Sequence, residues 1–301
     1  MTTTRRQLWV LVLLTLVWGF NWPVMKIGVS ATAGQPPFPP LAFRALSMLA
    51  GLPVLAMALL ALKVPLKLPR REWRQTALLA LPNMIIWHAI VIVAVQALSS
   101  GRAAILGYSM PIFSALWGVL VFGERFSARQ VLGVAAAALG IVLLLAHEFG
   151  KLSGAPWAAL AMLLAACIWA YGTHRLRRAV MSVPLLTVVF WMTALTTATM
   201  CLLTLLFERG RWAVPDATVL GAIAYNAIGV FAFAHAAWFY LARSMPPVAS
   251  SISVMLIPVL GTFSGAVVLH EALHWQDFAA MVLMVVAIAS VLLKPSGGKG
   301  P

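Results

Sequence analysis

The sequence predicts an all-α, polytopic membrane protein with ten transmembrane helices arranged as two inverted five-helix repeats. Three observations predict this fold class. Apolar residues make up 62% of the chain and charged residues only 9%, whereas a soluble domain carries about a quarter charged residues. The apolar residues fall in runs of about 20, the length that crosses a bilayer as a helix. Two sixteen-residue segments, 109–124 and 256–271, also share a pattern.

The apolar runs divide the chain into ten predicted spans, and little sequence remains for a soluble domain. The spans cover residues 8–28, 39–62, 74–96, 101–122, 127–146, 155–176, 184–206, 217–241, 247–269 and 276–293. Helices are the expected form because they satisfy their backbone hydrogen bonds without water. A membrane β-barrel would need alternating segments of about ten residues, and the sequence has no such alternation.

The net charge of +14 is an orientation signal and does not predict a nucleic-acid partner. Ten spans place both termini on one side. With a cytoplasmic N-terminus, the basic residues on the cytoplasmic side are Arg5, Arg6, Lys63, Lys67, Arg70, Arg71, Arg74, Arg125, Arg129, Arg175, Arg177, Arg178, Arg243, Lys294 and Lys299. The other side holds Lys26, Arg102, Lys151, Arg209 and Arg211, and Arg44 lies within a span. This positive-inside bias predicts cytoplasmic termini.

Neither the cysteines nor the N-terminal segment changes this interpretation. Cys167 and Cys201 both lie in spans and indicate no disulfide framework or metal cluster. The segment "TRRQLWVLVLL", followed by "ATA" at 31–33, is similar to a secretory signal peptide. Residues 21–26 separate the apolar run from the small residues, however, and removal of the segment would leave nine spans. We therefore interpret it as a transmembrane helix.

The two similar segments divide the chain into two units. Identical residues recur 147 positions apart at Pro111, Gly118, Val121 and Glu124 and at Pro258, Gly265, Val268 and Glu271. Five spans precede about residue 147 and five follow, which predicts domains at 5–146 and 155–294. A unit with an odd number of spans leaves its second copy inverted, a common plan of transporters with a site near the midplane.

The repeated prolines and glutamates have different predicted roles. Pro111 and Pro258 lie midway along spans four and nine, where a proline removes one helix hydrogen bond. They are either packing kinks or hinges that gate a pathway. Glu124 and Glu271 each end one span just before the next, so we expect them in structural turns, where ionisable groups cost far less than at the bilayer centre.

Three segments resemble the EamA type of the drug/metabolite transporter superfamily. "GYSMPIFSALWGVLVFGERFSARQVLGVAAAALGIVLL" resembles its fourth and fifth helices, "FRALSML" its arginine-bearing second helix and "WGFNWPVMKIG" its first. The resemblance implies a central cavity between two halves, cytoplasmic termini, a bacterial inner membrane and export of small metabolites. Within the superfamily the chain looks most like the YddG-type aromatic amino acid exporters. The second copy departs from the pattern, since "LHEAL" replaces "FGERF".

Polar and aromatic residues inside the spans are the predicted substrate-binding residues, because polar groups in a bilayer are costly and usually face the interior. They are Trp18, Asn21, Asn83, Trp87, His88, Tyr108, Trp169, Tyr225, Asn226 and His235. Trp18 and Trp87 fall near mid-depth, where interfacial anchoring does not explain them. The alternative for Asn83 and Asn226 is a hydrogen bond between helices, worth about 0.6 kcal/mol in membranes. The two histidines line the pathway or bond inside the core.

All seven acids lie near span ends and none at mid-membrane, where an ion-coupled carrier commonly has one. They are Glu72, Glu124, Glu148, Glu208, Asp216, Glu271 and Asp277. The pathway should therefore favour neutral or zwitterionic solutes such as aromatic or large apolar amino acids. We expect alternating access by facilitated diffusion, with no cofactor and a monomeric protein. Proton coupling through His88 or His235 stays open, as does an aromatic cation or drug as substrate, held by indole faces.

One motif predicts a different class of protein. "HEALH" at 270–274 matches H-E-x-x-H, the zinc protease motif, in which His270 and His274 would bind zinc and Glu271 would act as base. That chemistry needs one continuous helix and a third ligand, but the match falls in the turn between spans nine and ten. We keep an intramembrane metalloprotease as the minor alternative.

Overall fold

The computed structural model describes residues 5–31, 36–123, 128–150, 155–234, 237–238, 241 and 247–292, without the side chains of residues 148, 247–255, 291 and 292. Glu124 and His235 therefore lie outside the described residues. Within this part of the chain the regular structure is entirely helical, as predicted. Ten helices follow the ten predicted spans: α1 Arg5–Val29, α2 Pro40–Ala61, α3 Arg70–Ala97, α4 Ser100–Leu120, α5 Ala128–Gly150, α6 Pro156–Arg178, α7 Leu185–Phe207, α8 Ala217–Ala234, α9 Pro247–Leu269 and α10 Trp275–Leu292.

The helices have the length and surface that a bilayer requires. In the described residues, α1 to α8 are each long and apolar enough to cross a membrane, and α9 and α10 contain the shorter apolar stretches Leu256–Leu269 and Trp275–Ser290. Large apolar side chains point outward, among them Leu120, Leu132 and Val267. An exposed apolar belt is costly in water and favourable against lipid tails. The fold is therefore that of a multi-pass membrane protein.

Three of the helices are irregular inside the bundle. In α3, the residues Leu81–Ile85 form a π-helical turn that contains Pro82, and in α8 the residues Tyr225–Ala234 are π-helical. α4 consists of two pieces, Ser100–Gly107 and Met110–Leu120. Pro111 is the second residue of the second piece, in the first turn, where its missing N–H would have no helical partner in any case. Pro258, by contrast, lies inside the uninterrupted α9. The two prolines at equivalent positions thus have different local structures.

The most extensive helix pairs each join one of the first five helices to one of the last five. The most extensive pairs are α1 with α9, α4 with α6, α2 with α8, α3 with α7, α1 with α8, α3 with α6, α2 with α7, α4 with α9 and α5 with α10. When each helix is exchanged for the one five positions away in the chain, α1 with α9 becomes α4 with α6, α2 with α8 becomes α3 with α7, and α1 with α8 becomes α3 with α6. The pairs α2 with α7, α4 with α9 and α5 with α10 stay the same. Close approach of α5 to α10 uses Gly133 and Gly140, which face Ala287 and Ala280.

The acidic side chains that the structure describes all bind backbone N–H groups at or just before a helix start. Glu208 accepts from Leu41 and Ala42 in α2, Glu271 from Ser100 and Gly101 in α4, Asp216 from Val219 in α8, Asp277 from His274 before α10, and Glu72 from Ser182 before α7. A carboxylate at a helix N-terminus satisfies free donors and complements the helix dipole. Glu72, Glu208 and Glu271 thereby connect segments that are more than 100 residues apart in the chain.

Candidate functional site

Four aromatic side chains from α1, α3, α4 and α6 form one group, here named the aromatic cluster: Trp22, Trp87, Tyr108 and Trp169. The ring centroids of Trp87 and Trp169 are 6.1 Å apart, and those of Trp22 and Tyr108 are 6.2 Å apart. The two pairs meet at Gly107, where an added Cβ would lie 2.8 Å from Trp22 and 3.5 Å from Trp87. Three of the four were predicted from the sequence. Such rings present flat faces with a negative potential, which bind other aromatic groups and cations.

Two other predicted residues, Trp18 and Tyr225, lie at the contact between α1 and α8. Trp18 packs against Trp238, with ring centroids 5.7 Å apart. The hydroxyl of Tyr225 donates a hydrogen bond of 2.8 Å to the carbonyl oxygen of Val17. Trp18 is half-buried and belongs to the apolar core of this contact. This pair connects the first helix of one half to the third helix of the other.

Asn83 and Asn226 occupy matching places, since each lies in the π-helical turn of its helix. Each side-chain amide donates to a carbonyl four residues earlier, at 2.8 Å for Asn83 and 3.1 Å for Asn226. Asn83 packs against Gly172 of α6, where an added Cβ would lie 2.8 Å from its nitrogen. π-helical turns occur frequently at functional sites because they interrupt the regular hydrogen-bond ladder. The sequence shows the amides but not these turns.

Asn21 of α1 and His88 of α3 are both buried. The side-chain oxygen of Asn21 has no hydrogen-bond partner among the described residues. A buried polar atom without a partner is costly, so a bound solute could satisfy it. The ring of His88 meets that of Phe231 edge to face, with centroids 5.4 Å apart. Phe231 belongs to the π-helical turn of α8 that also contains Asn226.

Arg44 lies within a predicted span but was not among the predicted substrate-binding residues. Its side chain is only 1% exposed. Its Nη1 lies 3.3 Å from Oδ1 of Asn226 and its Nη2 lies 2.8 Å from the sulfur of Met25. The guanidinium carbon is 5.6 Å from the centre of the Phe231 ring. The signal that could have found it is the single charged residue in the apolar run 39–62.

Polar side chains also bind one another at one end of the bundle, where α1 and α3 end and α4 and α10 begin. Arg102 forms a buried ion pair with Asp277, with 2.7 Å between Nε and Oδ1. Lys26 donates to the carbonyl of Gln96 at 2.8 Å. Glu271 lies in the turn between α9 and α10, where it was expected, and also binds Ser100. This end is therefore closed by polar contacts between the helices.

The zinc protease geometry does not form. Residues 270–274 are not helical, and His270 has a φ of 54°. His270 and His274 consequently do not share a helix face as H-E-x-x-H requires. In the part of the chain that the structure describes, no group of three His, Cys, Asp or Glu residues is placed to hold a metal ion.

An open cleft lies apart from the predicted site. Its volume is about 490 Å³, and it is an open apolar cleft lined by Leu41, Ala89, Trp157 and Phe207, among others. None of the predicted substrate-binding residues lines it. A smaller one of about 40 Å³ lies beside Phe38 and Arg211.

Comparisons with known proteins agree with the fold. Residues 6–146 and 156–293 each match the model of the EamA-like transporter family. YedA of Escherichia coli K12, named an uncharacterized inner membrane transporter, is 28% identical over 281 residues, which cover 93% of this chain and 88% of the relative. A probable amino-acid metabolite efflux pump of Salmonella typhimurium is 26% identical over 307 residues, covering 95% of this chain and 94% of the relative.

A solved crystal structure has the same fold, with a TM-score of 0.66 at 24% identity over 93% of this chain and 96% of that one. The family match covers nearly the whole sequence and confirms the resemblance that the helix motifs indicated. The chain therefore belongs to the EamA-like transporter family and is a multi-pass membrane transporter.

Proposed function

We propose that the protein exports aromatic or hydrophobic amino acids and related small metabolites across the bacterial inner membrane, as the YddG-type exporters that it resembles do. The observation that carries the proposal is the aromatic cluster. Its rings and the nearby Asn21 and Asn83 combine flat apolar faces with amide groups. Such a site suits a zwitterion with a large apolar side chain. The relatives named amino-acid metabolite efflux pumps support the same substrate class.

We propose further that residues 5–146 and 155–294 are two inverted repeats that rock against each other. Two features support this arrangement. The helix pairs map onto one another when helices five positions apart are exchanged. The separation of 147 residues between Pro111 and Pro258 also holds for His88 and His235. In inverted repeats of transporters, the substrate binds at the interface of the two units.

The irregular helices are the proposed moving parts. α4 is broken just before Pro111, α9 carries Pro258, and α3 and α8 have π-helical turns. Helix breaks and π-turns weaken the backbone ladder locally, so the helix can bend there at low cost. The acids that the structure describes are all engaged at helix starts, which supports facilitated diffusion without an intramembrane carboxylate. The protein would act as a monomer.

The experiment is a flux panel with the purified full chain in proteoliposomes. Labelled tryptophan, phenylalanine, leucine, glutamate and an aromatic cation are offered one at a time. We expect flux of the first three, and a loss of about tenfold or more in Trp87→Ala, since stacking on an indole ring contributes up to about 1.5 kcal/mol beyond area burial. Trp157→Ala is the matched control, because that indole is 77% exposed on the outside.

Two results would contradict the proposal. One is a panel in which only the aromatic cation moves, which supports a drug exporter instead. The other is equal flux in Trp87→Ala and in Trp157→Ala. Coupling is tested in the same vesicles with and without an imposed pH gradient. We expect tryptophan to run down its own concentration gradient in both cases, and a flux that needs the pH gradient would show proton coupling.

A further inference from the structure

The buried basic side chains of the membrane helices are not all compensated in the same way. Arg102 has Asp277 at 2.7 Å. Lys26, which is only half-buried, binds the Gln96 carbonyl and is attracted to Glu271. Arg44 is almost fully buried, yet among the described residues it has no carboxylate within ion-pair distance. A buried charge without a counter-charge is strongly unfavourable, so this exception requires an explanation.

The partners that Arg44 does have are weak ones. A thioether sulfur, from Met25, is a poor acceptor, and the amide oxygen of Asn226 is neutral and at 3.3 Å. Its Nε has no acceptor among the described residues. A guanidinium carries five donors in a planar fork that matches the two oxygens of a carboxylate. The guanidinium of Arg44 therefore offers hydrogen-bond donors that suit an anion, and a carboxylate could displace its present partners at low cost.

The described acids cannot supply that carboxylate. Glu208 binds the start of α2, two to three residues before Arg44. Its two oxygens accept from the N–H groups of Leu41 and Ala42, at 3.1 and 2.8 Å. The other described acids cap other helices. The missing anion must come from outside the described protein groups, and a solute with a carboxylate is the anion that an amino acid transporter meets.

The neighbours of Arg44 connect it to the proposed site. Met25 lies one helical turn beyond Trp22, and side chains three residues apart on a helix have their Cβ atoms about 5–6 Å apart. Asn226 and Phe231 belong to the π-helical turn of α8, and Phe231 contacts His88 of α3. Through Met25 and Phe231, Arg44 therefore lies beside the helices that carry Trp22 and Trp87.

We propose that Arg44 binds the carboxylate of the transported amino acid and thereby selects carboxylate-bearing substrates. This inference rests on the proposed function. In the present conformation Arg44 is closed off from solvent, with Met25 and Asn226 in the place of the substrate. Opening at the contact of α1, α2 and α8 exposes the guanidinium, and the substrate carboxylate then replaces the thioether. Asn226 stays as a second polar contact, at the flexible turn of α8.

The test compares two probes in proteoliposomes, L-tryptophan and L-tryptophanamide, which keeps the indole and the amino group but lacks the carboxylate. The variants are Arg44→Gln, Arg44→Lys and Asn226→Asp. The matched control is Lys26→Gln, which removes a different basic group, on α1. We expect Arg44→Gln to lower tryptophan flux about tenfold or more, as a lost charge-assisted hydrogen bond does. The amide flux should stay unchanged or rise.

Asn226→Asp provides an independent arm. It places a carboxylate beside Arg44 within the protein, so we expect it to compete with the substrate and to lower tryptophan flux more than amide flux. This variant retains the shape of the side chain. If Arg44→Gln does not purify as a folded protein, the comparison of tryptophan and tryptophanamide flux in Asn226→Asp still tests the proposal. Arg44→Lys should retain part of the preference for tryptophan, because it keeps the charge and loses the planar fork.

The outcomes separate the two proposals. Wild-type protein that transports no amino acid overturns the proposed function. Wild-type protein that transports tryptophan, with both fluxes lowered equally in Arg44→Gln and in Asn226→Asp, overturns the assignment of Arg44 and leaves it a structural residue. The assignment of Arg44 is also overturned if the ratio of tryptophan flux to tryptophanamide flux changes no more in Arg44→Gln than in Lys26→Gln.

Discussion

The carboxylate of Glu271 accepts hydrogen bonds from both the backbone N–H and the hydroxyl of Ser100, at 2.7 and 2.8 Å. The two residues are 171 positions apart and lie in different halves of the chain. The turn between α9 and α10 thereby caps the start of α4. A glutamate in a turn thus also holds the two halves of the bundle together at one end.

We expect Glu271→Gln to lower the free energy of unfolding by about 1–3 kcal/mol, because the amide cannot accept on both of its polar atoms and leaves a helix donor unsatisfied. Unfolding of the full chain in mixed detergent micelles measures this. Ser100→Ala removes only the hydroxyl contact and should cost less than Glu271→Gln. Wild-type stability in Glu271→Gln would mean that the cap contributes nothing to folding.

The ion pair between Arg102 and Asp277 should be strongly coupled. Both side chains are buried, with 6% and 5% of their surface exposed, so removal of one partner takes the counter-charge away from the other in a site shielded from water. We expect Asp277→Asn to cost about 3–5 kcal/mol of folding free energy. The double variant Arg102→Met with Asp277→Asn should cost clearly less than the sum of the single variants. Additive losses in this double-mutant cycle would argue against a direct interaction.

Close contact between α9 and α4 depends on Gly261. A Cβ at this position would lie 2.8 Å from Cβ of Ala104 and 3.0 Å from the Trp22 ring. Gly261→Val should therefore lower the melting temperature and the flux together, since the helices must separate. Gly221→Val is the control, because no atom lies within 4 Å of its added Cβ. An unchanged melting temperature in Gly261→Val would contradict this packing.

The distribution of the arginines predicts cytoplasmic termini, and single cysteines test this orientation. Cys167 and Cys201 are first replaced by alanine, and Arg71, Val180 and Val214 are then changed to cysteine one at a time. All three side chains are largely exposed. With cytoplasmic termini, an impermeant maleimide added outside spheroplasts should label position 214 and spare positions 71 and 180. Labelling of 71 and 180 from opposite sides would overturn the inverted-repeat arrangement.

The sequence was most informative about properties that lie along one helix. The apolar runs predicted all ten helices of the described chain, nine of them within four residues at each end, because a helix in lipid must be long and apolar throughout. The exception is α8, which was predicted to end at residue 241 and is described to Ala234. The turn position of Glu271 and the non-helical setting of His270 follow from where those runs end. Trp87, Trp169 and Tyr108 were predicted because they are polar or aromatic residues inside apolar spans, and the structure places Trp87 against Trp169 and Tyr108 against Trp22.

Contacts between helices were decided only by the tertiary structure. Nothing in the chain near Arg44 indicates that its neighbours are Met25 and Asn226, or that each described acid binds the start of a helix. The π-helical turns at Asn83 and Asn226 likewise depend on how neighbouring helices accommodate the backbone. The sequence by itself determined which segments enter the membrane, since transfer into lipid depends on the composition of each segment. Only the packing of those segments decided which polar groups meet, because hydrogen bonds and ion pairs require atoms from distant parts of the chain to lie within about 3–4 Å.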